Sequence, residues 1–368
     1  MFYMTATKQN ITHIGIDGGD FYPEDEVKSG IQRLVKSFLN SLSAKKSKQK
    51  KWFYYFFNDN KISGISGPIT YNNVSKRLFS SFFLPFHMVL DRARVYLGFS
   101  GILPHLIRLF GRKSIVFIHD FGFYSNPQYY QDPEKMIWQT EYALYGADRI
   151  IVFSDYIRNQ IFTRFPKISK NKVIRIYPGA DHLVKPQTIP QMKDKFFLYV
   201  GVIKAAKNIK LLLQYFSEFL SKSEEKNTKL ILIGSKEEKY YQKICQSSLC
   251  RKIQANLIFL DKVSDKELVH YYLNCQALLN VSHEEGFCYP VIEALCLGRH
   301  VIVNDIPLYR EFKPYFPSLH IEKNKESFII SMEKSVKHMN HPIKTFKSPF
   351  VWSKFARELL QVIEKITV

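Results

Sequence analysis

Short apolar runs alternate with amphipathic segments along almost the whole chain of 368 residues. The apolar runs are rich in β-branched and aromatic residues and predict strands, whereas the segments between them have the length and periodicity of helices. Strands that are each followed by a helix form parallel sheets, because a parallel connection needs a long crossover. The pattern therefore predicts an α/β protein, and a chain of this length predicts two domains.

The predicted elements fall into two groups. In the first half the strands are Thr12–Asp17, Trp52–Phe57, Val95–Phe99, Ser114–His119, Arg149–Phe153 and Lys172–Tyr177, with helices at Gly30–Ser43, Pro133–Tyr145 and Tyr156–Phe165. In the second half the strands are Phe196–Val202, Lys229–Ile233, Asn256–Leu260, Ala277–Val281, His300–Val303 and Leu319–Ile321, with helices at Lys207–Ser221, Lys239–Lys252, Asp265–Asn274, Pro290–Leu297 and Phe350–Lys365. Two prolines in the polar run Lys185–Pro190 predict a linker. We therefore expect domains at residues 1–185 and 186–345 and a terminal helix within 346–368.

Composition excludes several classes of protein. Hydrophobic residues make up 46% of the chain, which is enough for two cores and excludes global disorder. No apolar run approaches the roughly 20 residues of a membrane span, and the N-terminus lacks a signal pattern. Five cysteines without Cys-x-x-Cys spacing favour free thiols in a reducing cytoplasm over disulfides or a zinc site.

The net charge of +20 has two explanations of similar weight. It fits an anionic membrane surface as a partner, and it equally fits a proteome that favours lysine. A nucleic-acid partner is the weaker interpretation, because no RNP, zinc-finger or Gly-x-x-Gly motif accompanies the charge. The basic run Lys45–Lys51 is expected to be a solvated loop.

The strongest candidate for a binding site is the stretch Val281–Gly298. A strand ends, a polar loop follows, and a short helix then starts at Pro290. The free backbone N–H groups of this loop and the positive end of the helix are expected to face a ligand. Glu285 and Glu293, with seven residues between them, add acceptors for hydroxyl groups. A polyhydroxylated anion needs both features, although either carboxylate alone could be a solvated or dipole-complementing residue.

A second candidate follows the first predicted strand of the C-terminal half. The strand leads into Gly201, and Lys204 and Lys207 precede a helix. A cation and free N–H groups at one helix start predict a phosphate site.

Taken together, these residues resemble the retaining glycosyltransferases of family 4, which have the GT-B fold. The hallmark of that family is a pair of glutamates, with seven residues between them, in a Glu-Gly-Phe-Gly-x-Pro-x-x-Glu-Ala frame, and Cys288 replaces its second glycine here. Further matches in the family's order are Asp17–Asp20, Ser29–Arg33, Ile118–Asp120, Ala147–Ser154, Tyr177–Asp181, Val263–Leu268 and Trp352–Ala356. Val202 and Ala206 stand where the family has an arginine in its phosphate loop.

The resemblance implies two Rossmann-like domains that face a cleft, an acceptor-side N-terminal domain, a nucleotide-sugar-binding C-terminal domain and a terminal helix that packs back on the first. It implies transfer of a hexose from a nucleoside diphosphate with retention of configuration. The catalytic residues would be His119, Glu285 and Lys207; the other substrate-binding residues would be Glu293, Gly286, Phe287, Cys288, Lys204, Gly201, Val263, Gly18, Gly19 and Gly30.

Each implied role is specific. Glu285 would accept from the 3- and 4-hydroxyls of the sugar and Glu293 from the ribose hydroxyls, while backbone N–H groups from Gly286 to Cys288 would hold sugar oxygens. Lys207, with Lys204, would stabilise the leaving diphosphate. His119 would orient the sugar from the opposite domain. No Asp-x-Asp sequence occurs, so neither a metal nor another cofactor is expected.

The acceptor is expected to be an oligosaccharide or a lipid-linked glycan, and a Gly-x-Ile…Lys-Asn pattern leans towards mannosyltransferases. The segment Phe79–Phe86, with Lys76, Arg77, Arg92 and Arg94, either docks on the inner face of the membrane or belongs to the N-terminal core. The main alternative is a GT-B protein that binds a nucleotide sugar with little or no turnover. A basic nucleic-acid-binding protein is the third hypothesis.

Overall fold

The computed structural model describes residues 11–19, 30–43, 50–56, 67–71, 75, 78–183, 192, 194–338 and 348–367. Its strands are β1 Thr12–Gly19, β2 Lys50–Phe56, β3 Ile69–Tyr71, β4 Val95–Gly98, β5 Lys113–Ile118, β6 Arg149–Val152, β7 Val173–Arg175, β8 Phe196–Val200, β9 Lys229–Ile233, β10 Leu257–Leu260, β11 Leu278–Asn280, β12 Val301–Asn304 and β13 Leu319–Glu322. Its α-helices are α1 Gly30–Ser43, α2 Leu84–Leu90, α3 His105–Leu109, α4 Gly122–Ser125, α5 Pro133–Gly146, α6 Asp155–Arg164, α7 Ile209–Lys222, α8 Glu238–Cys245, α9 Ser248–Lys252, α10 Asp265–Asn274, α11 Tyr289–Cys296, α12 Pro307–Phe312, α13 Lys325–His338 and α14 Trp352–Thr367.

The strands form two separate parallel sheets. Over the described residues, the first sheet has the order β3-β2-β1-β4-β5-β6-β7 and the second the order β10-β9-β8-β11-β12-β13. We call the parts of the chain that carry them the N-domain and the C-domain. This arrangement, with helices around each sheet, confirms the predicted α/β, GT-B fold class. The predicted domain boundary near residue 185 lies outside the described residues.

Apolar side chains explain why these segments form buried parallel strands. Ile14 and Ile16 on β1 pair with Val95 and Leu97 on β4, and all four are fully buried. Strands covered by helices on both faces carry such nearly continuous apolar runs. Because every pairing is parallel, the carboxyl ends of the strands in each sheet lie at one edge, where ligands bind in such sheets.

The C-terminal helix α14 returns to the N-domain, as expected. The buried ring of Phe355 packs against Phe38 on α1 and Phe117 on β5, with ring centroids 6.1 and 6.3 Å apart. On its polar side, Glu364 accepts from Lys50 of β2 at 2.6 Å. The helix therefore ties the end of the chain, beyond the C-domain, to the sheet of the N-domain.

Several elements differ from the sequence-based expectations. Five helices of the structure, α2, α3, α4, α12 and α13, were not predicted. The predicted helix Lys239–Lys252 is wrong, because it is two helices, α8 and α9. The second starts at Ser248, after the N-cap Ser247, whose hydroxyl accepts from the N–H of Cys250. Strand β3 was not predicted, since its three residues are too few to show a period. The five cysteines are free thiols, and no helix of the described residues could span a membrane.

Candidate active site

The loop between β11 and α11 is ordered by Asn280, the last residue of the strand. Its side-chain oxygen accepts from the N–H of Ser282 at 3.0 Å and from the hydroxyl of Tyr309 at 2.9 Å. Its amide group contacts the Cys288 sulfur at 3.4 Å. Cys288 is the N-cap of α11 and has φ +58°, a left-handed conformation that favours glycine. This left-handed backbone conformation explains why a glycine suits the position in the family.

Glu285, at the centre of this loop, is paired with Lys207. The carboxylate is buried and its Oε1 accepts from the Lys207 ammonium at 2.6 Å. Burial alone would lower the pKa of Lys207, but the adjacent Glu285 carboxylate outweighs it, so the pKa is raised above 10.5. Two of the three predicted catalytic residues are therefore in direct contact, and the lysine is held as a cation.

The segment that carries Lys207 is shaped by its backbone. β8 is followed by Gly201 at φ +149°, and its N–H bonds to the carbonyl of Ile233 at 2.9 Å. A short 3₁₀ turn, Ala205–Lys207, leads to Asn208 at φ +55°, where α7 begins. Asparagine tolerates this left-handed conformation better than most residues. The turn thereby places Lys207 at the start of a helix, as predicted.

Lys204 directly precedes the turn that ends with Lys207. Burial and the neighbouring Lys207 charge lower the pKa of Lys204, while Asp120 and Glu285 act in the opposite direction. Its ammonium group lies 5.6 Å from the ring centroid of Tyr130, a residue of the N-domain. A second cation thus stands beside the Lys207–Glu285 pair, although the family's arginine is absent.

His119 approaches this loop from the N-domain, directly after β5. Its Nε2 bonds to the carbonyl oxygen of Phe99 at 2.6 Å, so this nitrogen carries the proton and Nδ1 is left as an acceptor. Burial lowers the pKa of His119, which favours the neutral ring. A Cβ added to Gly286 would lie 1.7 Å from the His119 carbonyl oxygen. The carboxyl edges of the two sheets therefore meet at Gly286.

Further contacts close this junction between the domains. Ser154 donates to the Gly286 carbonyl at 2.9 Å. Glu311 on α12 accepts from the N–H groups of Asp155 and Tyr156 at the start of α6, at 2.8 and 2.9 Å. A carboxylate at a helix N-terminus is a favourable partner for those free donors. The cleft between the domains is narrow at the site.

Glu293 lies on α11, one turn beyond Tyr289, and is almost completely buried. Its Oε2 accepts from the hydroxyl of Tyr272 at 2.8 Å, and its Oε1 lies 3.1 Å from Nε2 of His182. Burial alone would raise the pKa of Glu293, but His182, Arg33 and Tyr272 together lower it. The carboxylate is therefore ionised and held from two sides.

The remaining predicted residues take different positions. Gly30 opens α1 beside Tyr289, and a Cβ on it would lie 3.3 Å from that ring. Gly19 ends β1 at φ +56°, whereas a Cβ on Gly18 would lie 2.1 Å from the Phe56 ring. The side chain of Phe287 packs among rings such as Phe153 and Phe312, and Val263 packs against the same core. The side chains of Phe287 and Val263 therefore pack in the core, and the Phe56 ring leaves no space for a side chain at Gly18.

Three residues at the site were not identified from the sequence: Tyr130, His182 and Tyr272. His182 follows the Pro-Gly-x-Asp segment directly, which was a usable signal. Tyr130 and Tyr272 belong to segments without a distinctive motif, and only the three-dimensional arrangement brings them to the carboxylates.

The comparisons with known proteins agree with this geometry. Residues 183–342 match the family model of glycosyl transferases group 1. An uncharacterized glycosyltransferase of Methanocaldococcus jannaschii is 24% identical over 72% of this chain and 69% of its own length. The O-antigen chain mannosyltransferase RfbU of Salmonella typhimurium is 24% identical over 66% of each chain. This chain thus matches about two thirds of the length of either relative.

Solved structures show the same architecture. A sucrose-phosphate synthase from Thermosynechococcus elongatus superposes with a TM-score of 0.71 and 14% identity, covering 97% of this chain and 99% of that one. The Anabaena protein HepE, solved in complex with UDP-glucose, superposes with a TM-score of 0.66 and 12% identity, covering 96% of this chain and 100% of that one. At these identities the likeness concerns the fold alone.

Proposed function

We propose, from the finding that the chain carries a group 1 glycosyltransferase domain in a GT-B fold, that it transfers a hexose from a nucleoside-diphosphate sugar to an acceptor hydroxyl with retention of configuration. The observation that carries the proposal is the buried Lys207–Glu285 pair beside the junction of Gly286 with His119. An ammonium for a diphosphate and a carboxylate for sugar hydroxyls stand together where the two domains meet.

The chemistry of the step assigns a role to each group. Departure of the diphosphate requires stabilisation of growing negative charge, which Lys207 and Lys204 supply from fixed positions. Glu285 orients the sugar through its hydroxyls and is not a nucleophile, because the departing phosphate oxygen takes the acceptor proton on the same face. His119 is neutral with Nδ1 as an acceptor, so it orients a sugar hydroxyl from the N-domain. Closure of the two domains over the donor would exclude water and so protect the activated sugar from hydrolysis.

Relatives suggest which donor to test first. The Salmonella relative is named a mannosyltransferase, and the Anabaena structure contains UDP-glucose. We therefore propose mannose as the first candidate sugar, on an oligosaccharide or lipid-linked acceptor. A panel of UDP-, GDP- and ADP-sugars, with product identification and assignment of the anomeric configuration by NMR, tests donor, turnover and retention together. Undiminished turnover in EDTA is the expected result, because the proposed step uses no metal.

The same panel separates the alternative function. A protein that binds nucleotide sugars without turning them over would show a thermal shift with a nucleotide but neither transfer nor slow donor hydrolysis. The replacement of the family's arginine at Val202 and Ala206 favours this alternative, whereas the position of Lys204 beside Lys207 favours turnover. A nucleic-acid-binding protein would show no selectivity among UDP, GDP and ADP.

An exposed apolar stripe on the N-domain supports a second part of the proposal, contact with an anionic membrane. The segment 78–90 is helical, first as a π-helix and then as α2. It exposes Leu78, Phe82, Phe86 and Val89 at intervals of three or four residues, and Leu90 beside them. Leu109 and Phe110, at the end of the neighbouring helix α3, are exposed as well. Inserted rings and flanking cations are what an interfacial helix uses.

Charge complementarity favours an anionic bilayer as the occupant of this surface. Arg92, Arg94 and Arg108 are exposed at the same end of the N-domain, and the chain carries a net charge of +20. Flotation with vesicles of phosphatidylglycerol and phosphatidylcholine tests it. We expect binding that weakens with salt and is lost in Phe82→Ser/Phe86→Ser but kept in Ile258→Ser/Ile330→Ser, which removes two exposed apolar residues of the C-domain. Absence of salt-sensitive binding by the parent protein would exclude the membrane.

A further inference from the structure

The start of the C-terminal helix is anchored on the segment that carries His182. The backbone N–H of Trp352 donates to Oδ1 of Asp181 at 2.8 Å. A Cβ on Gly179 would lie 2.3 Å from the Trp352 nitrogen, so only glycine allows this approach. The Trp352 side chain is buried and stacks on Tyr289, the first residue of α11, with ring centroids 6.3 Å apart and planes at 16°. Helix α14 therefore touches both the segment of His182 and the helix of Glu293.

A hydrogen bond from Trp352 orients the ring of His182. The indole Nε1 donates to Nδ1 of His182 at 3.2 Å. An indole nitrogen can only donate, so Nδ1 must hold a lone pair and the proton of the neutral ring is on Nε2. That nitrogen is the one that lies 3.1 Å from Oε1 of Glu293. Trp352 therefore fixes the orientation of the His182 ring, with Nε2 directed at Glu293.

The contacts of Glu293 with the described residues do not use its full hydrogen-bonding capacity. His182 addresses one carboxylate oxygen and the Tyr272 hydroxyl the other. Each oxygen of a carboxylate can accept about two hydrogen bonds, so, as far as the described residues are concerned, each oxygen can accept one more. A carboxylate held at both oxygens needs little ordering when it binds, and partners that orient a binding group commonly change affinity about ten- to a hundredfold in metal sites.

We propose that His182 and Trp352 are positioning residues for Glu293, and that seating of the C-terminal helix α14 thereby sets the affinity of the site for the nucleotide. The inference rests on the proposed function in one respect, the assignment of the ribose hydroxyls to Glu293. The Trp352–His182–Glu293 chain joins the last helix, which packs on the N-domain, to the nucleotide-binding C-domain. Displacement of α14 would release His182 and leave Glu293 free to change its orientation.

Binding of UDP, GDP and ADP by calorimetry tests the inference on the full chain. For the nucleotide that the parent protein binds, we expect Kd to rise about tenfold in His182→Leu and in Trp352→Phe. The double variant should be no weaker than the weaker single variant, because both remove one chain of contacts. His182→Gln keeps a donor near the Nε2 position and should bind within about threefold of the parent. Trp138→Phe, which changes an exposed tryptophan, is the matched control and should bind normally.

Separate measurement of KM and kcat for the donor distinguishes a positioning role of His182 and Trp352 from a merely structural one. We expect KM to rise with Kd while kcat changes less than threefold, since Glu293 does not contact the reacting atoms. Additive losses, or a folded His182→Leu variant with unchanged Kd, would overturn the inference.

A signal that does not depend on nucleotide binding keeps the two proposals distinguishable. The indole N–H resonance of Trp352, identified by its absence in Trp352→Phe, should shift in His182→Leu and, through His182, in Glu293→Gln. If the parent binds no nucleotide but these shifts occur, the proposed function fails and the chain of contacts stands. If neither variant shifts the resonance, the inference fails whatever the nucleotide does.

Discussion

Lys207 and Glu285, which are 78 residues apart in the sequence, lie 2.6 Å apart in the structure, Nζ to Oε1. One belongs to the turn after β8 and the other to the loop after β11, two strands that are neighbours in the second sheet. A buried charge without a partner is costly, so the ion pair offsets the burial of both groups. The fold therefore places an ammonium group and a carboxylate acceptor next to each other before any ligand binds.

Removal of either partner should abolish transfer at a measurable cost in stability. We expect Glu285→Gln and Lys207→Met to lower kcat by about 10² to 10³-fold, as loss of one preorganised electrostatic partner does. The free energy of unfolding should fall by about 1–3 kcal/mol, because the remaining charge is mostly buried. Steady-state kinetics and urea unfolding measure the two effects.

Glu218→Gln is the matched control for that pair of variants. Glu218 pairs with Lys222 and Lys325 on the surface of the C-domain, where an ion pair contributes little. Its activity and stability should equal those of the parent. Turnover at the parent rate in a folded Glu285→Gln variant would show that the donor site lies elsewhere.

The pair also sets a pH dependence whose sign follows from Lys207. Its folded pKa lies above the unfolded value of 10.5, so its contribution to stability is complete below that value and is lost as the pH rises through the folded pKa. The difference in unfolding free energy between the parent and Lys207→Met should therefore be constant from pH 7 to about 10 and shrink above it. Chemical unfolding across this range measures the difference, and its loss by pH 8.5 would contradict the assignment.

The sequence predicts most of the fold because the signals are local. Apolar runs such as Lys229–Ile233 correspond to strands in the structure, and Pro290 lies in the first turn of α11 as the spacing required. Strand β3 was not predicted because Ile69–Tyr71 are too few residues to show a strand pattern. They form a strand because they pair with β2. The break between α8 and α9 depends on one N-cap, Ser247. A single serine within an otherwise helical pattern does not predict such a break.

The site was predictable in its parts but not in its pairings. The loop, the helix start and the two glutamates are visible in one stretch, and Lys207 stands at a second helix start. That Lys207 bonds Glu285, and that His182 contacts Glu293, depends on the packing of separate segments. Resemblance to a family supplies a residue's position but not its contacts in this chain, such as the hydrogen bond from Trp352 to His182.

Cys288 tests whether the departure from the family's glycine weakens the site. Its φ of +58° is costly for a residue with a Cβ, by about 1–2 kcal/mol. In Cys288→Gly the relief of this cost should offset the loss of a buried thiol, so we expect the unfolding free energy to change by less than about 1 kcal/mol and kcat to stay within threefold. In Cys288→Val the branched side chain should cost more than about 2 kcal/mol.

Both Cys288 variants are compared with the parent by urea unfolding and donor turnover. A large gain in kcat for Cys288→Gly would instead favour the alternative of a protein whose activity this cysteine reduces. Equal stability of the valine variant would contradict the left-handed backbone at this position.

Gly286 is where closure of the two domains can be tested with a single methyl group. A Cβ there would lie 1.7 Å from the carbonyl oxygen of His119, so in Gly286→Ala the two sheets must separate at the site. A displacement of about 1 Å in a reacting geometry costs about a hundredfold in rate, and we expect at least that loss in kcat/KM.

Gly111→Ala is the control: it also has a positive φ, +62°, but its added Cβ would meet no heavy atom within 4 Å. It should lose about 1 kcal/mol of stability and no activity. Kinetics with urea unfolding separates the variants, and full activity of Gly286→Ala would mean that catalysis does not require this contact between the domains.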